Sequence, residues 1–413
     1  MKKNTRPVLM PHYLRSFACI GSRCEDSCCI GWGVGIDRRT YKKYKQVKDR
    51  DLKTDLEHYV ARNRSQLDDG FYALIRLNSE ASCPFLSEEK LCRIQAGIGE
   101  DYLSDVCTTY PRISNNVNGI LEKSATLSCP EAARLALLNQ NPMEFDEIEE
   151  KINVRNIISR EFDTRQFPQA YEAQEYFWEL RIFTIQVLQN RDFNVGERLI
   201  VLGMFYQKLD QLIADNLTDQ IPGLIASYNN MLSSSILRSE LDKIPAQVII
   251  QMKLLKELTD ERIQKGVNSQ RYLDYFRDCL IGLMYRLEDT IEERGERYRQ
   301  AEKSYYRPFM NDHEYIIENY LVNHVFKSLF PFSDEHRIFN NYVLLVVHYA
   351  LIKMHLIGMA GFNQGLTEEL TVDFIQCFVK VVEHHERYLK RIMELLGQAG
   401  YLNMAYMAIL IKN

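Results

Sequence analysis

The sequence predicts a mainly α-helical protein in which a small cysteine-rich, metal-binding domain is followed by an all-helical domain. Eight of the ten cysteines lie before residue 130, and the remainder of the chain holds only Cys279 and Cys377. Beyond about residue 170, apolar residues recur at the three- and four-residue spacing of helices, whereas the alternation typical of strands is scarce. We therefore expect a cysteine-rich domain over residues 1–140 and a helical domain over residues 141–413.

The helical domain is predicted from one well-marked helix and six similar segments. Asn194 and Glu197 form a capping-box pattern, after which apolar residues follow at helical spacing from Leu199 to Ile213. Similar patterns occupy about 171–190, 234–259, 270–296, 312–329, 336–360 and 367–396. Such a set of amphipathic segments suits a substrate-binding domain or a protein-interaction scaffold.

Composition and charge argue against several classes of protein. The chain has 413 residues, 46% of them hydrophobic, and a net charge of −5, which does not indicate a nucleic-acid partner. The amino terminus lacks the apolar run of a signal peptide, so a cytoplasmic location is predicted. The apolar segment from Tyr342 to Gly361 contains His348, Lys353 and His355, which would be costly in hydrocarbon. A buried helix is therefore expected there, not a membrane span.

The early cysteines need an explanation other than disulfides, because the cytoplasm keeps ordinary thiols reduced. Inert buried cysteines would not be expected to gather in one third of a chain. We therefore predict that all eight bind metal. They are Cys19, Cys24, Cys28, Cys29, Cys83, Cys92, Cys107 and Cys129.

The spacing of these cysteines favours an iron-sulfur cluster, with zinc as the alternative metal. The C-x-x-C pairs common in structural zinc sites do not occur. If residues 24–28 are helical, Cys24 and Cys28 share one face, and Cys29 is rotated by about 100° from Cys28. Thiolates in such different directions suit a larger cluster better than one small ion. Cys129 precedes Pro130, which is suited to the first position of a helix, so we expect this cysteine at a helix cap.

Three motifs resemble the flagellin lysine-N-methylase family. They are CIGSRCEDSCCIGWGVGID from residue 19, CPFLSEEKLCRIQAGIGEDYLSDVCTTYPR from residue 83, and LSCPEAARLAL from residue 127. The resemblance covers about residues 10–140, and the helical remainder agrees only in length and general character. It implies transfer of methyl groups from S-adenosylmethionine to flagellin lysines, with an iron-sulfur cluster of the 4Fe-4S type expected in the cysteine-rich domain.

The sequence also argues against two other kinds of methyl-transfer enzyme. The glycines of GWGVG at 31–35 follow cysteines, whereas a Rossmann fold places its glycine-rich turn after an apolar strand. A radical S-adenosylmethionine enzyme is expected to carry C-x3-C-x2-C, but Gly31 stands where the third cysteine would fall after Cys24 and Cys28. A neutral lysine amine attacks a sulfonium methyl without radical chemistry, provided that it is deprotonated and aligned.

Four residues beside the cysteines are candidates for catalysis and cofactor binding. Tyr110 is predicted to orient the amine and Arg112 to hold a carboxylate, with a Tyr-Pro turn and a surface arginine as the structural alternative. Asp37 is predicted to accept a proton or position the lysine, but capping a helix that begins near residue 38 explains it equally well. Trp32 is predicted to cover the cofactor, with simple packing as the alternative.

The histidines of the helical domain offer weaker signals. Glu383, His384, His385 and Glu386 are consecutive, so a helix would point them in different directions, and metal binding by this run is not expected. His348 and His355 are interpreted as hydrogen-bonded core residues. The functional alternative to a methyltransferase is a non-catalytic scaffold in which zinc or iron only stabilises the cysteine-rich domain.

Overall fold

The computed structural model describes residues 4–64, 68–152, 154–165, 169–286, 288–333 and 337–413. The chain divides into two compact units that interleave in sequence. The first, here called the thiol unit, comprises Met1–Ala132 and Phe145–Phe162. The second, the helical unit, comprises Ala133–Glu144 and Asp163–Asn413. The division therefore differs from a single boundary at residue 140, because the chain returns to the thiol unit after a short excursion.

The thiol unit contains two β-sheets that the sequence pattern did not predict, and two of their strands, over Phe145–Lys151 and Ile158–Phe162, lie in the range expected to be all-helical. The larger sheet has the order β7-β1-β6-β5-β8, in which β1 and β6 are parallel, as are β5 and β8. The smaller antiparallel sheet has the order β2-β4-β3. The strands are β1 (Thr5–Pro11), β2 (Gly35–Ile36), β3 (Val60–Arg62), β4 (Ala73–Ile75), β5 (Arg112–Val117), β6 (Ile120–Ala125), β7 (Phe145–Lys151) and β8 (Ile158–Phe162).

These strands escape detection because they are short or rich in charged residues. Strands of two or three residues cannot display a period of two, and β7 reads FDEIEEK, with only two apolar side chains. One local signal was available, since Asn118-Gly119 joins β5 to β6 with φ values of 52° and 85°. An Asn-Gly pair with both residues at positive φ is the preferred two-residue hairpin turn.

Short helices complete the thiol unit and frame its core. The core is formed by side chains such as Ile36, Tyr44, Leu56 and Phe85, against which Cys29 and Cys92 also pack. The helices are α1 (Arg38–Tyr44), α2 (Arg50–Tyr59), α3 (Arg93–Ile98), α4 (Asp105–Thr109) and α5 (Pro130–Leu137), the last of which continues into the helical unit.

The helical unit confirms the predicted helical character of the rest of the chain. The Asn194–Glu197 capping box is present, and helices also form over three segments that were not predicted, α8, α13 and α18. The predicted segments 234–259, 270–296 and 367–396 are each broken into two α-helices. The helices are α6 (Phe177–Leu188), α7 (Val195–Ala214), α8 (Ile221–Leu232), α9 (Ser235–Asp242), α10 (Val248–Gln264), α11 (Gln270–Gly282), α12 (Ile291–Ala301), α13 (Arg307–His313), α14 (Tyr315–Lys327), α15 (Ile338–Asn363), α16 (Glu368–Phe378), α17 (Glu386–Gln398) and α18 (Met404–Ile411).

Helix α15 is the central helix of this unit. It is the one helix among the described residues that is long and apolar enough to cross a membrane, and 89% of its most apolar window is buried inside the protein. Its Tyr342 hydroxyl donates a hydrogen bond to the Leu199 carbonyl oxygen of α7 at 2.9 Å. The expectation of a buried core helix is confirmed.

Candidate metal centre

The eight early cysteines all lie in the thiol unit, on loops and at the ends of short elements. Residues 24–28, all of which the structure describes, form bends and a turn, so the assumption of a helix there is wrong. Cys92 is the N-cap residue of α3, Cys107 lies within α4, and Cys129 directly precedes α5. The predicted cap position of Cys129 is thus confirmed.

Backbone hydrogen bonds fix several of these cysteine loops to one another. The Cys83 N–H donates to the Cys29 carbonyl oxygen at 2.8 Å, beside an isolated bridge between Ile30 and Ser82. A second bridge joins Leu86 to Cys92. Backbone pairing therefore holds the loop of Cys29 beside the loop of Cys83.

Four thiols form a first group, here called the four-thiol group: Cys28, Cys83, Cys92 and Cys107. The pKa of Cys83 is raised to about 12, mainly by burial and in smaller part by negative charge on Cys107, Cys92 and Cys28, while a hydrogen bond from the Phe85 backbone acts in the opposite direction. Cys107 lies at the surface, yet protein atoms crowd its sulfur, and this desolvation raises its pKa to about 11, with Cys92 and Cys28 again contributing. Each sulfur thus lies within electrostatic range of its neighbours.

Three thiols form a second group, the three-thiol group: Cys19, Cys24 and Cys129. The pKa of Cys129 is raised to about 11, mainly by burial and in smaller part by negative charge on Cys24 and Cys19. The N–H groups of Ala132 and Glu131 act in the opposite direction, as expected at a helix N-terminus, but burial outweighs them. Burial also raises the pKa of Cys24, and negative charge on Cys28, a member of the four-thiol group, raises it as well.

The donor chemistry of both groups fits a bound cation. Thiolates are the form that binds metal, and thiols that raise one another's pKa cannot all ionise at neutral pH without nearby positive charge. Among the described residues, the only three or more potential ligand atoms that all lie within 4.8 Å of one another belong to His324, His348 and Glu383, in the other unit. Thiolates are ligands both of zinc and of iron-sulfur clusters.

Two aromatic predicted site residues meet beside these thiols. The rings of Trp32 and Tyr110 are tilted to each other with centroids 5.4 Å apart, and the Trp32 Nε1 donates to the Cys28 carbonyl oxygen at 2.6 Å. The Tyr110 and Ser128 hydroxyls are hydrogen-bonded at 3.1 Å. Burial raises the pKa of Tyr110 well above its ordinary value, and charge on Cys129 and Cys28 adds to this. Tyr110 is therefore a neutral hydrogen-bonding group at physiological pH.

Asp37 occupies the structural position that was its alternative interpretation. It is the N-cap residue of α1, where its Oδ1 accepts the Thr40 N–H at 2.8 Å, and its Oδ2 accepts the Asp105 N–H at 3.1 Å. Burial alone would raise the Asp37 pKa, but these hydrogen bonds and the Arg155 charge lower it. Accepting a proton would cost one of these bonds, whereas the present arrangement ties α1 to the start of α4, which carries Cys107.

Arg155 is a positioning residue that the sequence did not reveal. Its Nη1 donates to the Leu103 carbonyl oxygen and to the Thr108 hydroxyl, each at 2.9 Å, and its Nε lies 2.6 Å from the Asp105 carboxylate. It comes from the connection between β7 and β8, so it reaches α4 only because this segment returns to the thiol unit. No local pattern marks such a residue.

Arg112 is the first residue of β5 and is exposed. Its guanidinium carbon lies 4.9 Å from the centre of the Phe17 ring, a cation-π distance. It follows the Tyr110-Pro111 pair directly, so it belongs to the same connection as the aromatic pair. An exposed guanidinium remains available to a carboxylate ligand.

The helical part of the chain is similar to a known protein family. The profile of the FliB lysine N-methylase C-terminal domain matches residues 181–410, more than half of the chain. The chain therefore belongs to the FliB lysine N-methylase family. The family assignment made from the cysteine motifs is confirmed, through the helical region in which only general character had agreed.

Individual relatives agree with this assignment. A lysine-N-methylase of Salmonella choleraesuis (strain SC-B67) is 24% identical over 354 residues, covering 84% of each chain, and one of Salmonella typhimurium (strain LT2) matches equally. The flagellar biosynthetic protein FliU of Salmonella muenchen is 31% identical over 156 residues, which cover 38% of this chain and 90% of that protein. No solved structure matches the chain.

Proposed function

We propose that this protein transfers a methyl group from S-adenosylmethionine to lysine side chains of flagellin and that its thiol unit holds an iron-sulfur cluster. The observation that carries the proposal is the gathering of the early cysteines in the thiol unit, where the Cys83 N–H donates to the Cys29 carbonyl oxygen and where Cys29 and Cys92 pack against the core that contains Cys83. The names of the relatives support lysine methylation and a connection with flagella. The cytoplasm, where flagellin is made, is the proposed location.

The two groups suggest different uses of their thiols. The four-thiol group offers a complete cysteine set for one cluster or ion, whereas the three-thiol group would leave one iron of a 4Fe-4S cluster without a cysteine. A cluster with such an open position supplies a Lewis-acidic site for the amino and carboxylate groups of S-adenosylmethionine. Cys29 remains a predicted ligand without assignment to either group.

The reaction itself requires little beyond alignment and a neutral amine. The lysine nitrogen forms a bond to the methyl carbon as the carbon-sulfur bond breaks, and S-adenosylhomocysteine leaves. Because a free lysine has a pKa of about 10.4, removal from water helps to supply the neutral amine. We assign alignment of the amine to the neutral Tyr110 hydroxyl, cover of the methyl donor to Trp32, and a carboxylate contact to Arg112. Asp37 and Arg155 position the segment of Cys107.

The proposal is tested by combining metal analysis with an activity assay. Protein purified without oxygen is expected to contain iron and acid-labile sulfide in comparable amounts and to methylate purified flagellin when S-adenosylmethionine is added. Mass spectrometry of tryptic flagellin locates the methyl groups, and a reaction without S-adenosylmethionine is the control. Stoichiometric zinc without sulfide, together with unmodified flagellin, would instead support the non-catalytic scaffold.

Replacing Tyr110 with phenylalanine is expected to lower the rate of methyl transfer about 10- to 1,000-fold, the effect of losing one positioned polar group. The ring contact with Trp32 is kept, so iron content is expected to stay at the wild-type level. The rate is measured by single-turnover mass spectrometry of flagellin.

Ser128→Ala is the matched control, because it removes the same hydrogen bond from its other end. If the Tyr110 hydroxyl acts on the lysine amine, Ser128→Ala retains most of the activity that Tyr110→Phe loses. Equal losses in both variants would show that the hydroxyl matters only for anchoring the loop that precedes Cys129.

A further inference from the structure

Three potential metal ligands meet within the helical unit, far from the cysteines in sequence. His324 comes from α14, His348 from α15, and Glu383 from the π-helical turn Val379–Glu383 that follows α16. One ligand atom of each residue lies within 4.8 Å of those of the other two. Turns of π-helix are rare in proteins, and many of those that do occur lie at functional sites.

His348 is the member that a purely structural explanation does not satisfy. It is only 1% exposed, and neither of its ring nitrogens has a hydrogen-bond partner. Its ring meets the edge of the His324 ring at 5.0 Å and lies 6.1 Å from that of Phe378. A buried polar group without a partner is unfavourable by about 1–3 kcal/mol, so such groups are rare in proteins.

His355 shows how a histidine on the same helix is normally accommodated. It is fully buried two helical turns further on, yet its Nδ1 lies 2.8 Å from the Leu351 carbonyl oxygen and its Nε2 lies 3.5 Å from the Tyr272 hydroxyl. The prediction of a hydrogen-bonded core residue is therefore confirmed for His355 and wrong for His348. The difference between them lies in their surroundings, since His348 faces His324 and Glu383.

The Glu383 carboxylate is held by one hydrogen bond and one ion pair. Its Oε2 accepts a hydrogen bond from the Tyr320 hydroxyl at 2.9 Å, which fixes the orientation of the carboxylate. Its Oε1 lies 3.6 Å from the His324 Nδ1, too far for a hydrogen bond, and forms an ion pair with Lys327. The His324 Nδ1 is itself without a hydrogen-bond partner.

We propose that His324, His348 and Glu383 form a binding site for a divalent transition-metal ion, with zinc as the first candidate. Two imidazoles and one carboxylate are a ligand set of catalytic zinc and of non-haem iron, and they disfavour magnesium and calcium. Such a set leaves at least one coordination position for water or another ligand. The site is independent of the proposed methyl transfer.

The main competing explanation is that the Lys327 ammonium is the resident cation. It accounts for the charge of Glu383 but not for His348, because an ammonium acts on an imidazole by donating a hydrogen bond and neither ring nitrogen of His348 takes part in one. A metal ion satisfies both imidazoles and the carboxylate together. His324 and Glu383 are partly exposed, with 14% and 8% of their side chains accessible, so an ion has a route to the site. Lys327, 15% accessible, must move towards solvent when the ion binds.

His348→Leu tests the site, with His355→Leu as the matched control on the same helix. Anaerobically purified protein is equilibrated with zinc, desalted, and analysed for zinc, iron and sulfide per chain. His348→Leu is expected to lose one equivalent of zinc while iron and sulfide stay unchanged, and its metal-free form is expected to unfold at or above the wild-type temperature, because an unsatisfied polar group has been removed. His355→Leu is expected to retain the zinc.

Lys327→Met separates a metal site from a buried ion pair. Removal of the competing ammonium is expected to increase the zinc affinity at least about tenfold, and added zinc is expected to raise the unfolding temperature of this variant more than that of the wild type. Cobalt in place of zinc should give a spectrum without thiolate bands for the equivalent that His348→Leu loses. Equal zinc content in wild type and His348→Leu, or no zinc-dependent stabilisation of Lys327→Met, would overturn the proposal.

Discussion

Replacing Cys83 or Cys107 with serine is expected to strip the four-thiol group of its metal and to reduce flagellin methylation below detection. Serine has nearly the shape of cysteine but a hard, poorly acidic hydroxyl, which is a much weaker ligand for iron-sulfur centres. Cys83 is buried in the core of the thiol unit, and Cys107 lies on the short helix that Asp37 and Arg155 hold in place. Iron, sulfide and methylated flagellin are measured on the same anaerobic preparation.

Cys279→Ala and Cys377→Ala are the controls for this experiment. Both cysteines are buried in the helical unit and belong to neither the four-thiol group nor the three-thiol group. Each variant is expected to keep its iron and its activity, with a stability loss of about 1 kcal/mol from the small cavity. Loss of iron from either folded control would contradict the assignment of the metal to the thiol unit. Full activity of the Cys83 and Cys107 variants would contradict a role for the metal of the four-thiol group in methylation.

Substitutions in the two thiol groups are expected to have different effects on S-adenosylmethionine binding. If only the three-thiol group holds the cluster that contacts S-adenosylmethionine, Cys129→Ser abolishes S-adenosylmethionine binding. Cys83→Ser then affects methylation mainly through the stability of the thiol unit. Circular dichroism and equilibrium binding of S-adenosylmethionine to each variant separate these effects.

Much of the fold was predictable wherever the determinants are local. The capping box at Asn194 and Glu197 satisfies the N–H groups at the start of α7 with side chains three residues apart, so the sequence alone marks the helix start. The same holds for Cys129 before Pro130. The apolar character of α15 likewise predicts burial, because few of its faces could be exposed to water.

The remainder depends on pairings between distant segments. Strand β7 joins the sheet through its register with β1, in which Val8 is opposite Ile148, and nothing local in its charged sequence indicates this partner. Arg155 depends on the same return of the chain. The cluster of His324, His348 and Glu383 comes from three separate elements. The local run from residue 383 to 386 did not indicate this cluster, because the two histidine members lie on other helices. Side-chain chemistry of this kind becomes visible only after the helices are packed.

Helices α11 and α15, which are far apart in sequence, make another close contact. Gly282 near the end of α11 faces Gly358 and Gly361 of α15. A Cβ atom at residue 282 would lie 1.9 Å from the Gly358 carbonyl oxygen and 2.4 Å from the Phe362 nitrogen. These neighbours are backbone atoms of a central helix, so they cannot rotate away as a side chain would. The two helices would have to separate.

Gly282→Ala is therefore expected to destabilise the helical unit by about 3 kcal/mol or more, at the upper end of the range for overpacked cores. The unfolding midpoint is therefore expected to fall by about 6–12 °C. It is measured from the helical circular-dichroism band at about 222 nm during heating. Gly223→Ala is the matched control, because Gly223 lies in α8 and an added Cβ would meet no atom within 4 Å. Its expected effect has the opposite sign, a gain of about 0.5–1 kcal/mol, since alanine favours a helix more than glycine does. If both substitutions shift the midpoint by similar amounts, the close approach of α11 and α15 does not limit the stability of this unit.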